Sequence, residues 1–158
     1  MTTLDRFGIA VQLPTGWEGE IYRRPATATE LRLQEAGALR EQPPVAHAAS
    51  FALPPDRGDF GNGAVDLMGP RDIFVSLFEY EPPAAATPLF SSSGIPHLDD
   101  ADFDTGTLQR TLPGQSGCQR FFHLGDRAFC LYVVLGNHRF RSGLVRRVNA
   151  LLESLRID

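Results

Sequence analysis

The 158-residue chain reads as one α+β domain, a mostly antiparallel sheet with helices covering both of its faces. Three observations predict this. In GCQRFFHLGDRAFCLYVVLG, residues 117–136, the turn residues Leu124, Gly125 and Asp126 separate two aromatic and aliphatic runs, the pattern of a β-hairpin. Its second arm, Ala128 to Leu135, is apolar at every position, and Arg71 to Tyr80, RDIFVSLFEY, is nearly so in its middle. A strand with one wet face would alternate, so both of these must be covered on both faces. The cover follows directly: Leu144, Val148, Leu151 and Leu155 recur at helical spacing, Val145 and Leu152 widen the stripe, and Ser142 stands where an N-cap is expected. A chain of this size with 42% hydrophobic residues forms one domain and buries roughly two-thirds of its unfolded surface.

Taken from the N-terminus, Phe7, Ile9, Val11 and Leu13 alternate with Gly8, Ala10 and Gln12 up to Pro14, a first strand. The Pro14-Thr15-Gly16 turn leads into a second strand, Trp17 to Tyr22, with the lone tryptophan expected in the core. Residues 25–44 differ in texture. Thr27 with Glu30 makes a capping-box pattern, yet Leu31, Leu33 and Leu39 define no single stripe, so a surface helix and a mobile excursion both fit. Val45 to Leu53 reads as a strand, with His47 on its apolar side as a satisfied, buried histidine. Residues 81–116 are rich in Pro, Ser, Ala and Asp and form a second excursion or long loop.

Motif readings fail on their own chemistry. Arg57-Gly58-Asp59 matches the integrin-recognition tripeptide, too short a match to carry meaning in a cytosolic protein. Gly61-Asn62-Gly63-Ala64-Val65-Asp66 starts like a dinucleotide fingerprint but has Asp66 in place of the third glycine and no long helix behind it. Asp100, Asp102 and Asp104 have the first spacings of an EF-hand loop, but Thr105 and Thr111 replace its glycine and bidentate glutamate. Pro113 to Cys118 resembles a nucleophile elbow until Cys118 stands where the last glycine belongs, and Ser116 is read as a turn residue. There is no CxxC and no His or Cys cluster at zinc-ligand spacing, so no catalytic residue, metal or cofactor is assigned. Cys118 and Cys130 lie on the two hairpin arms; an odd loop would set them face to face, but two buried reduced thiols are expected. The opening MTTLDRFGIAVQLP carries no basic leader with a long apolar run, and no stretch is long enough to span a bilayer. A soluble, cytoplasmic protein without membrane insertion is expected.

Charge is the feature with functional texture. Lysine is absent, and residues 106–158 carry eight arginines against Asp126, Glu153 and Asp158, a net of +5, which leaves −9 on residues 1–105. Arg146 and Arg147 have no acidic residue one helical turn away, and Arg139 and Arg141 precede them unpaired. Either the acidic half neutralises these arginines or a partner does. Nucleic acid is disfavoured by the acidic balance and by aromatics that fall at core positions.

The opening FGIAVQLPTGW, the closing strand CLYVVLG and the helix ending VNALLESLRI resemble the frame of the PsbP-like fold family, which includes photosystem accessory subunits, a nuclear-transport factor and bacterial secretion chaperones. The resemblance covers both ends of the chain and implies an α/β/α sandwich with a non-enzymatic accessory or adaptor role. The long acidic segment between Glu81 and Gly117 departs from that frame. The expectation is a cytosolic protein-interaction module, an adaptor or chaperone of a larger bacterial system and compatible with a homo-oligomer. Arg110, Arg120, Arg127, Arg146 and Arg147 are its candidate partner contacts. The alternative is a small-molecule-binding protein or enzyme with a site at His123 and Arg120, which requires a pocket and an orienting carboxylate.

Overall fold

The computed structural model describes residues 1–24, 28–37 and 41–158. Its strands are β1 (Thr2–Arg6), β2 (Ile9–Leu13), β3 (Glu18–Arg23), β4 (Pro44–Ala49), β5 (Ile73–Tyr80), β6 (Ser116–Leu124), β7 (Arg127–Leu135) and β8 (Arg156–Ile157); its helices are α1 (Ala28–Glu35) and α2 (Arg141–Glu153). A five-stranded antiparallel sheet runs β3-β4-β5-β7-β6, and a three-stranded one runs β1-β2-β8. The predicted hairpin is β6–β7, and the two apolar runs are its second arm β7 and the adjacent strand β5, which pair with each other inside the larger sheet.

One face of that sheet carries Ala46, Ala48, Val75, Leu77, Leu131 and Val133, which meet Leu144, Val145, Val148, Leu151 and Leu152 of α2 and Ile9, Val11 and Leu13 of β2. Trp17 packs against this core half-buried, just ahead of β3 rather than within it. The other face carries Phe74, Tyr132 and Val134 and is covered by Phe51, Leu53, Phe60, Val65, Met68, Leu108 and Leu112. The helix expected on that side is absent among the described residues: 50–68 and 104–115 are loop and 3-10 turn. Glycine makes such loops possible, because Gly61, at φ +86°, brings its backbone to the Phe74 ring where a Cβ would sit 2.6 Å away.

Two strands escaped the sequence reading. Phe7 and Gly8 take positive φ of 54° and 78°, so the predicted first strand is a hairpin turn followed by β2, with β1 before it. β8 then joins β2 through Ile9 opposite Ile157 and Ala10 opposite Arg156. Ser142 does not cap α2; it lies inside the first turn, where its hydroxyl donates to the Asp100 carboxylate, while Asn137 caps the 3-10 turn leading in. Within 25–44, residues 28–35 are helical with no buried side chain; Thr27 of the capping-box pattern and Leu39 lie outside the described residues. No helix among the described residues is long and apolar enough to cross a membrane.

Asn149 shows how α2 anchors the acidic excursion. Buried in the helix, it accepts from the Leu98 amide at 2.9 Å and donates to the Leu98 carbonyl at 2.8 Å, which satisfies both backbone groups of a loop residue.

Candidate functional site

The five candidate arginines divide into two groups. Arg110 pairs with Asp66 at 3.1 Å, and Arg120 pairs with Asp102. Arg127 grips the buried Glu79 with two bonds of 2.6 and 2.9 Å and donates to the carbonyls of Phe7 at 3.1 Å and Asp158 at 2.8 Å, so it ties β7 to β5 and to the β1–β2 turn. The acidic half therefore neutralises these three. Arg146 and Arg147 are exposed on α2, and among the described residues neither meets a carboxylate, nor do Arg71 and Arg139 beside them.

These four share one end of the molecule. Arg147 donates to the Arg71 carbonyl at 3.1 Å and its guanidinium lies 5.7 Å from the centroid of Trp17. Arg71 stacks over Phe140 at 4.3 Å. Arg71 and Arg147 therefore present exposed guanidinium groups over half-buried aromatic rings, solvent-facing cation–π contacts that leave their N–H groups open to an anionic group, with the exposed Arg139 and Arg146 adjacent in sequence. Arg71, Trp17 and Phe140 were not legible as members, because they come from a strand entry, a turn and a helix lead-in far apart in sequence.

His123 and Arg120 do not form a site together. They are three residues apart on β6, so their side chains leave opposite faces of the sheet. The His123 Nδ1 meets the Phe90 carbonyl at 2.6 Å, and Arg120 is engaged by Asp102. His47 is the more elaborate histidine. The Arg57 Nε–H donates to its Nδ1 at 2.8 Å, which fixes Nε2 as the protonated nitrogen that donates to the Asp59 carbonyl at 2.8 Å. Ser76 donates to the same carbonyl at 2.6 Å, Tyr22 donates to the Asp59 carboxylate at 2.7 Å, and Glu20 holds Arg57 at 2.6 Å. Burial lowers the His47 pKa to about 4, and burial with the Asp59 carboxylate raises that of Tyr22. The Arg57-Gly58-Asp59 tripeptide is thus a structural clamp whose arginine and aspartate are both occupied.

The hairpin turn holds two residues, so Cys118 lies opposite Val133 and Cys130 opposite Phe121; the thiols point to opposite faces and cannot bond. Burial pushes both up to about 11, which leaves them as unreactive thiols. In the acidic loop, Asp102 caps the Asp99 amide at 2.8 Å, Asp104 accepts from Gly106 at 2.5 Å and Asp100 accepts from Ser142, so each carboxylate serves local structure.

A cleft of about 420 Å³ opens on the loop-covered face, lined by Asp59, Phe60, Asn62, Val65, Leu108, Gln109, Arg110, Gln115, Tyr132 and Val134. Its upper wall, residues 104–112, is held by Asp104 and Gly117, which exchange backbone hydrogen bonds of 3.0 and 2.9 Å, and by Gln109, whose amide donates to the Tyr132 hydroxyl at 2.7 Å. Arg110 thus reaches the cleft mouth already bound to Asp66. No family model, curated protein or solved structure matches the chain, so fold and chemistry carry the functional reading.

Proposed function

We propose that the protein is a non-enzymatic interaction module of the cytoplasm, an adaptor or chaperone in a larger bacterial system, that docks an acidic partner on the face of Arg71, Arg139, Arg146 and Arg147. One observation carries the reading: Arg71 and Arg147 are exposed over the Phe140 and Trp17 rings, and neither they nor the adjacent Arg139 and Arg146 meet a carboxylate among the described residues, whereas Arg110, Arg120 and Arg127 are engaged by the chain's own acids. Trp17 and Phe140 add the aromatic anchors in which binding hot spots are enriched, and their half-burial keeps them rigid before a partner arrives. The reading adopts the accessory and adaptor roles that the resemblance to the PsbP-like family implies; in its support α2 packs on one face of the antiparallel sheet, while loops rather than a second helix cover the other.

Affinity capture from the cell's own extract tests it, with the wild-type chain and an Arg146→Glu/Arg147→Glu variant washed at low and high salt. The expected outcome is a stoichiometric protein retained at low salt, released at high salt, and reduced about tenfold or more with the variant. Equal retention by the variant, or retention indifferent to salt, contradicts docking through this face.

A further inference from the structure

The cleft on the loop-covered face is independent of the arginine surface, and its lining is specific. Three carboxamides converge on it, those of Asn62, Gln109 and Gln115. Asn62 and Gln109 are exposed. Gln115 is 5% exposed; its Nε2 donates to the Val65 carbonyl at 2.8 Å, while its Oε1 is buried without a hydrogen-bond partner. The apolar half of the lining is Val65, Leu108 and Val134 with the rings of Phe60 and Tyr132, which meet edge to face at 5.8 Å between centroids. A cleft of this size, half apolar with a few converging polar groups, has the anatomy of a small-molecule site.

Charge narrows the ligand. The one arginine at the cleft is paired with Asp66 at 3.1 Å, and Asp59 accepts from Tyr22 at 2.7 Å and faces Arg24 at 3.9 Å. Among the described residues no unopposed cation lines the cleft to take a phosphate or carboxylate, and the nearby acids would repel one. The ligand is therefore uncharged. Carboxamides present a donor beside an acceptor, the pattern that complements the edge of a purine, and aromatic rings with aliphatic neighbours favour its flat faces. We propose that this cleft binds the base of an uncharged nucleoside, with Asn62, Gln109 and Gln115 reading its polar edge and Phe60 and Tyr132 contacting its ring.

Isothermal titration of the full chain with adenosine, guanosine, cytidine and uridine, each beside its 5′-monophosphate, tests the assignment. At least one nucleoside is expected to bind saturably at one site and more tightly than its monophosphate. The exposed pair Asn62→Ala/Gln109→Ala is expected to weaken it at least about tenfold with an unchanged melting temperature. Leu108→Trp, which fills the cleft, is expected to abolish it. No heat with any nucleoside overturns the proposal. So do a monophosphate that binds more tightly than its nucleoside, free ribose that binds as well as the nucleoside, and unaltered binding in the two variants.

Discussion

His47 sits between a donor and an acceptor that tolerate one protonation state. Arg57 donates to Nδ1, so a second proton there would face a guanidinium at 2.8 Å and lose that bond. The folded-state pKa of about 4 lies below the ordinary value of 6.5, so the unfolded chain takes up the proton first as pH falls. Stability from this group is present in full above the ordinary value and is lost progressively down to the folded value, by about 3 kcal/mol. Urea unfolding at pH 7, 5.5 and 4 is expected to show this loss in the wild type and a shallower one in His47→Leu, whose side chain takes up no proton; equal slopes would remove His47 as the cause. The same residue shows what a sequence can and cannot reveal. Its position on the apolar side of a strand was readable from alternation in VAHAASFAL. Its partners were not, since Arg57 and Asp59 reach it from a glycine-rich loop with no periodicity.

At the scale of elements, β5, β6, β7 and α2 were legible because each announces itself locally, by continuous apolar runs, turn residues or a stripe at helical spacing. β1 and β8 were not. β1 is exposed at nearly every position, and β8 is two residues long and exists through its pairing with β2. The loop cover was illegible for a related reason: Leu108 and Leu112 reach the sheet from a segment without strand or helix periodicity, positioned by the Asp104–Gly117 backbone bonds. Gly117 is the hinge of that arrangement, since a Cβ there would lie 2.0 Å from the Thr107 carbonyl oxygen. Gly117→Ala is expected to displace the segment and cost about 2 kcal/mol, read as a lower urea midpoint with an unchanged m-value. A midpoint equal to the wild type would show that the segment is not held against this strand. On α2, Gly143, Arg146, Arg147 and Ala150 form one exposed stripe, opposite the buried Leu144, Val148 and Leu151.

Across the whole molecule, the imbalance between an acidic N-terminal part and a basic C-terminal part is only partly cancelled by folding. Ion pairs cross between them at Arg110–Asp66, Arg120–Asp102 and Arg127–Glu79, each joining residues far apart in sequence. The sequence could state the imbalance but not its resolution, because which arginine meets which carboxylate depends on the strand order β5-β7-β6 and on where the acidic loop crosses β6. Among the arginines that those pairs leave without a carboxylate are Arg71, Arg139, Arg146 and Arg147 around Trp17 and Phe140, with Arg141 and Arg156 also unpaired among the described residues, and the account rests on the four-arginine face being a docking surface. The most direct test is photocrosslinking in living cells, with a benzophenone amino acid at Gly143 or Ala150 on the α2 stripe and, as controls, at the exposed Leu67 and Leu89. The account predicts a discrete adduct with an acidic protein from the α2 positions, absent from the controls and lost with Arg146→Glu/Arg147→Glu. No adduct from α2, or the same adducts from all four positions, would contradict it.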